Sequence, residues 1–281
     1  MTISEIYGAH VDMELVMGVP QSRIIAEIGQ PTIEAATNMC NNLRQSNLLT
    51  SSDPIAFSFC MEEATSFISL ERGRHLSIST NLRYETKMLE CAALSSTSEN
   101  VLEGGSFFYP FKIPALQNLV EPIIDSKPDL TICEVGFNAG HSSLMWLLLS
   151  TTSNVLAFDL GEHGYAKSAA KYLQTRFGSN RISVTFGDSR ETLPQFRGTC
   201  DVVFVDGGHS YDVAYSDITN LAEPGTLLIV DDINQDEVGK AYHDVINAGI
   251  VTELGVIFED AHYQDPYVAR SSIGYGTYNK V

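Results

Sequence analysis

From residue 129 onward, short apolar runs alternate with longer segments of helical spacing, and this alternation predicts a parallel sheet flanked by helices. The runs are Leu130–Val135, Asn154–Asp159, Ile182–Phe186, Asp201–Asp206 and Thr226–Asp231. Each ends in a turn carrying Gly, Asp or both. Ser142–Leu149, Gly164–Phe177 and Gln235–Ala248 carry the spacing of helices. Glu253–Glu259 and Ser271–Tyr278 predict two closing strands around a loop at Tyr263–Pro266. The pattern is that of an α/β fold with a seven-stranded, mostly parallel sheet. In such open sheets ligands bind beyond the carboxyl ends of the strands, near the switch in strand order.

The first part of the chain has a different character. Pro31–Ser46, Pro54–Leu70 and Asn81–Ser95 read as helices, separated by serine-rich breaks such as Thr50–Asp53 and Ser95–Ser98. This divides the chain into a helical N-terminal region, 1–105, and a sheet domain, 106–281. The helical region suits a lid over substrate or an interface for a homo-oligomer, and its pattern does not separate the two. The aromatic stretch Gly104–Pro110 reads as a packing linker, with a place at a cofactor or substrate mouth as the alternative.

Composition narrows the partners. The chain has 44% hydrophobic residues and a formal charge of −18, an ordinary globular content with a strongly acidic surface. That field repels phosphate backbones and anionic lipid, which points to a small-molecule partner, with no nucleic acid and no membrane. Of the five cysteines, Cys133 and Cys200 lie in apolar runs, and no pair has CxxC spacing. They read as small core residues of a reducing compartment, not as a disulfide frame or a zinc site. The N-terminus lacks the pattern of a secretory leader, and the longest apolar run, Leu144–Leu149, is too short to span a bilayer. A soluble cytoplasmic protein is the expectation.

The chemistry lies at the strand ends. The first strand runs into Glu134-Val-Gly136-Phe-Asn138-Ala-Gly140-His-Ser142-Ser143, a glycine turn feeding a helix whose amides and dipole face an incoming ligand. Asn138 stands where a GxGxxG dinucleotide loop needs its second glycine, so the turn does not match that fingerprint. Asp159 ends the second strand and suits the hydroxyls of a ribose, with Glu162 as a competitor. Asp188 and Ser189 follow the third strand, where an acid and exposed amides can read an adenine edge. The fourth strand ends in Asp206-Gly-Gly-His209 and the fifth in Asp231-Asp232. Adjacent parallel strands bring such ends together, and three converging carboxylates raise one another's pKa unless a cation neutralises them. A divalent ion with oxygen ligands, such as Mg²⁺, is the simplest remedy. The alternative is that one acid points inward while the others cap the following loop.

These motifs resemble the class I S-adenosylmethionine-dependent methyltransferases across roughly residues 130–232, which implies a Rossmann-like fold. Glu134, Gly136, Asn138, Gly140, Ser142, Asp159, Asp188, Ser189 and Asp206 would then bind S-adenosylmethionine. The Asp-x-x-His and paired-acid pattern is similar to metal-dependent sugar O-methyltransferases more than to catechol-type ones, and DGGHSY with DD resembles methyltransferase family 24. The resemblance implies Asp206, Asp231 and Asp232 as ligands of Mg²⁺ or another divalent cation. It also implies catalysis by Asp206 and His209, with His209 as general base. Two rival readings remain at this stage. One is metal-independent N-methylation, with Asp231 or Asp232 holding an amine; the other is a catalytically silent cofactor-binding protein. The first 105 residues carry no resemblance.

Overall fold

The computed structural model describes residues 80–95, 97, 102, 112–258 and 272–280. The chain divides into two compact units, residues 1–102 with 164–172 and residues 103–163 with 173–281. In the first unit, helix α1 (Thr80–Leu94) coincides within a residue with the predicted Asn81–Ser95. Within the same unit the buried Tyr172 hydroxyl donates to the Glu85 carboxylate at 3.0 Å. The helices expected at Pro31–Ser46 and Pro54–Leu70, the aromatic stretch at Gly104–Pro110 and the Tyr263–Pro266 loop lie outside the described residues.

The remaining elements run in chain order. They are α2 (Lys112–Ser126), β1 (Thr131–Val135), α3 (His141–Leu149), β2 (Asn154–Asp159), α4 (Gly164–Phe177), β3 (Ile182–Phe186) and the short α5 (Ser189–Thr192). After a 3₁₀ turn at Leu193–Gln195 come β4 (Val202–Val205), α6 (Tyr211–Asn220), β5 (Leu227–Val230), α7 (Asp236–Asn247), β6 (Val251–Phe258) and β7 (Ser272–Tyr278). The seven strands form one sheet in the order β3-β2-β1-β4-β5-β7-β6, parallel except where β7 runs antiparallel to β5 and β6. This is the α/β, seven-stranded sheet that the pattern predicts.

The central strands are short continuous apolar runs because both faces are covered. On one face Cys133, Val135, Val203, Val205, Leu228 and Val230 pack with Ala214 and Ile218 of α6 and with Val238, Ala241 and Val245 of α7. On the other, Trp146 of α3 meets Phe204 of β4 edge-on, with ring centroids 5.7 Å apart. Each fully buried side chain of this kind contributes about 1.5–3 kcal/mol, so the sheet centre is the rigid part of the second unit.

One expectation is corrected. Cys133 of β1 and Cys200, two residues before β4, form a disulfide with their Cα atoms 5.7 Å apart. Apolar neighbours signal burial, which both residues have, at 0% and 6% exposed. They carry no information about pairing across 67 residues of chain. The pairing follows from β1 and β4 lying side by side, with Cys133 level with Val203.

Candidate active site

The strand order reverses between β1 and β4: β2 and β3 lie to one side of β1, and β4 and β5 to the other. The carboxyl ends of these strands are held level by backbone hydrogen bonds just past the strands. Gly136 N–H donates to Phe158 O at 2.8 Å, Asp206 N–H to Val135 O at 2.8 Å and Asp231 N–H to Val205 O at 2.9 Å. Val205 is opposite Val230 in the β4–β5 register, so the acids that follow them, Asp206 and Asp231, are neighbours. Every residue of the site belongs to the second unit.

A cavity of about 310 Å³ crosses the ends of β1 to β4. Its wall includes Gly136, Asn138, Asp159, Asp188, Ser189 and Asp206. Such a volume lies in the range of small-ligand sites. Six of the nine residues expected to bind cofactor therefore share one wall. Gly136 has φ +96° and Asn138 φ 50°, so the chain leaves β1 through two left-handed residues. Only Gly fits at 136, because a Cβ there would lie 1.9 Å from the Asp206 carbonyl oxygen. Asp159 fixes the same turn from β2. Its carboxylate accepts from the Asn138 amide at 2.8 Å and from the Gly161 amide at 2.7 Å, and it retains lone pairs toward the cavity wall. Glu162 lines the cavity as well.

Asp188 caps α5, accepting from the Arg190 amide at 2.9 Å, and its carboxylate is forked by the Arg190 guanidinium at 3.0 and 2.6 Å. Arg190 holds this carboxyl down to about 2. Glu134, Gly140 and Ser142 do not line the cavity. Glu134 is fully buried and accepts from the hydroxyls of Ser142 and Ser143, which fastens the end of β1 to the start of α3. Burial pushes its carboxyl up to about 7, against the pull of the two hydroxyls.

Beside this cavity the ends of β4 and β5 gather charge. One oxygen from each of Asp206, Asp231 and Asp232 lies within 4.8 Å of the others. Asp231 is 2% exposed, and one of its oxygens accepts from the Asp232 amide at 2.9 Å. Asp232 has φ 56°, a left-handed geometry that a non-glycine residue adopts at some cost. Its carboxylate lies 3.3 Å from His209 Nε2 and accepts from Gln235 at 3.1 Å. Burial and the Asp231 charge hold the carboxyls of Asp206 and Asp232 above the usual range. The ends of β4 and β5 thus gather the three carboxylates, with the His209 ring beside Asp232.

Two residues of the site were not singled out by sequence. Lys112, the first residue of α2, sends its ammonium onto Asp231 and to 3.8 Å from Asp206 Oδ2. Burial alone would depress this ammonium, but the carboxylates outweigh it and hold it well above the ordinary lysine value. Asp217 of α6 lies in the cavity wall and is fully buried; burial pushes its carboxyl up to about 6, opposed by the Ser189 hydroxyl. Neither had a signal of its own. Lys112 stands in no strand-end motif, and α6 carries too many polar residues to show an apolar stripe. Tyr211 donates to Asp244 at 2.9 Å and stacks on Tyr215.

The fold, a seven-stranded and mostly parallel sheet with its cavity at the switch in strand order, is that of the class I S-adenosylmethionine-dependent methyltransferases. Residues 133–233 match the model of methyltransferase family 24, described as a methyltransferase domain. Among solved structures, the chain is similar to the O-methyltransferase TomG of Streptomyces achromogenes, involved in tomaymycin synthesis and solved with S-adenosylmethionine. The identity is 15%, the TM-score 0.53, and the match covers 75% of this chain and 95% of that one. An O-methyltransferase of Bacillus cereus, solved with S-adenosylhomocysteine, matches at 16% identity and TM-score 0.52, over 72% and 93% of the two chains. The methyltransferase PaMTH1 of Podospora anserina, bound to S-adenosylhomocysteine, matches at 10% identity and TM-score 0.51, over 78% and 97%. No curated protein matches the sequence. No helix among the described residues is long and apolar enough to cross a membrane.

Proposed function

We propose that this enzyme transfers the methyl group of S-adenosylmethionine to a hydroxyl of a small molecule, at the cluster formed by Asp206, Asp231, Asp232 and His209. The observation that carries this reading is the convergence of three carboxylates and an imidazole beside the cavity wall to which Asp206 contributes. TomG and the Bacillus cereus protein being O-methyltransferases supports it.

The cavity at β1 to β4 takes the cofactor, with Asp159 toward the ribose and the Asp188–Ser189 corner toward the adenine. The acceptor oxygen attacks the methyl carbon in line with sulfur. A C–O bond forms, the S–C bond breaks, and the sulfonium becomes the neutral thioether of S-adenosylhomocysteine. The hydroxyl proton goes to His209, and Asp232 beside the ring stabilises the imidazolium. The donor set fits a hard divalent cation: three carboxylates, one of them nearly inaccessible, with ligand atoms close together. Held by Asp206, Asp231 and Asp232, Mg²⁺ would supply Lewis acidity that lowers the pKa of the acceptor hydroxyl. A chelating site favours vicinal oxygens, as in a catechol or a sugar diol. The charge of −18 disfavours nucleic acid and anionic membrane.

The ammonium of Lys112 on Asp231 supports the second reading, in which the cluster receives an amine and no metal. One assay separates the two. With radiolabelled S-adenosylmethionine and a panel of catechols, sugar diols and primary amines, O-methylation stops in EDTA and returns with Mg²⁺. His209→Ala lowers kcat by about 10²- to 10⁴-fold. Full activity in EDTA with amine acceptors rejects the metal-assisted reading.

A further inference from the structure

Lys112 has a place in the site that no strand-end motif assigns. It comes from α2, ahead of the whole methyltransferase sheet, yet its ammonium reaches the cluster at the ends of β4 and β5. Its side chain is only 18% exposed. The oxygen it contacts on Asp231 belongs to the residue with least solvent of the three acids, and its second neighbour is Asp206. These are two of the three residues that would hold a divalent cation.

We propose that Lys112 is the internal counter-cation of this site and competes with a divalent ion for Asp231 and Asp206. The inference rests on the metal-assisted reading above. Three carboxylates with ligand atoms inside 4.8 Å repel one another unless a positive charge lies among them. The ammonium neutralises one charge and keeps the acids gathered before any ion arrives. An ion among these ligand atoms sets a second positive charge a few ångström from the ammonium, and the two repel. Lys112 on Asp231 therefore opposes metal entry. The site trades affinity for the ion against a cluster that stays assembled without it.

The test is a Mn²⁺ titration of the full chain, followed by the paramagnetic resonance signal of the free ion. Lys112→Met should bind Mn²⁺ at least about tenfold more tightly than wild type, since the competing charge is gone. Lys112→Arg, which keeps the charge, should stay near wild type. Lys112→Gln serves as the second uncharged variant should the methionine protein fail to fold, which circular dichroism reads directly. Unchanged or weaker binding by the uncharged variants, with wild type still binding, overturns the competition and leaves the metal-assisted reading in place. Absence of Mn²⁺ binding in wild type and both uncharged variants rejects the metal site itself, and the inference with it.

Discussion

Gly136→Ala is expected to cost about 3–5 kcal/mol of folding stability, the sum of an overpacked contact and a strained backbone. The new Cβ would lie 1.9 Å from the Asp206 carbonyl oxygen and 2.5 Å from its carbonyl carbon. Both are backbone atoms at the end of a central strand, so neither can swing aside. The residue's φ of +96° adds strain for any side chain. Relief requires β1 and β4 to part where Asp206 N–H bonds to Val135 O, which would also open the cavity wall. Gly140→Ala is the internal control. Its Cβ meets only side chains, the Phe137 ring at 2.7 Å and Leu173 at 3.0 Å, so a smaller loss of about 1–3 kcal/mol is expected. Urea denaturation of the two variants provides the comparison. A Gly136→Ala protein within 1 kcal/mol of wild type would contradict this packing of the turn.

Asp231→Ala is expected to cost about 2–3 kcal/mol in metal-free buffer. Removing one partner of a buried ion pair typically costs about 3–5 kcal/mol, because the other charge is left without compensation. Here the loss is smaller, since deleting one of three neighbouring acids also relieves their repulsion and Asp206 remains 3.8 Å from the ammonium. The pairing with Lys112 makes a sharper demand. Adding Lys112→Met to Asp231→Ala should recover about half the loss, because the ammonium is no longer stranded. Chemical denaturation of both singles and the double in EDTA gives the coupling. Strictly additive losses would mean that the contact between Lys112 and Asp231 carries no energy.

The sheet and most of the site are legible in the sequence because both rest on local patterns. Continuous apolar runs such as Val202–Val205 occur where a strand is covered on both faces, and the residue that follows each run is placed by the topology alone. That logic brings Asp159, Asp188, Asp206 and Asp231 to one edge without any knowledge of side-chain contacts. It does not reach α2, whose Lys112 meets Asp231 across 119 residues of chain. It does not reach the Cys133–Cys200 bond either, for the same reason of distance in sequence. Helix α6 escaped for a different cause: among its ten residues only Ala214, Asp217 and Ile218 are buried, too few to make a stripe. Its buried acid, Asp217, breaks the rule that charged residues face water, and such exceptions become visible only when the packing is known. The glycine turn shows the opposite limit. Glu134 stands in the motif, but the structure turns its carboxylate to Ser142 and Ser143, a fastening of strand to helix that spacing alone does not distinguish from ligand contact.

The account depends on S-adenosylmethionine occupying the cavity at the ends of β1 to β4. Isothermal titration of the full chain with S-adenosylhomocysteine tests this without needing the acceptor. One-to-one saturable binding is predicted, weakened about tenfold or more in Asp159→Asn, which removes the charge proposed to meet the ribose and leaves only one oxygen for the Asn138 and Gly161 amides. No binding heat with the product or with S-adenosylmethionine, in a folded protein, would contradict it.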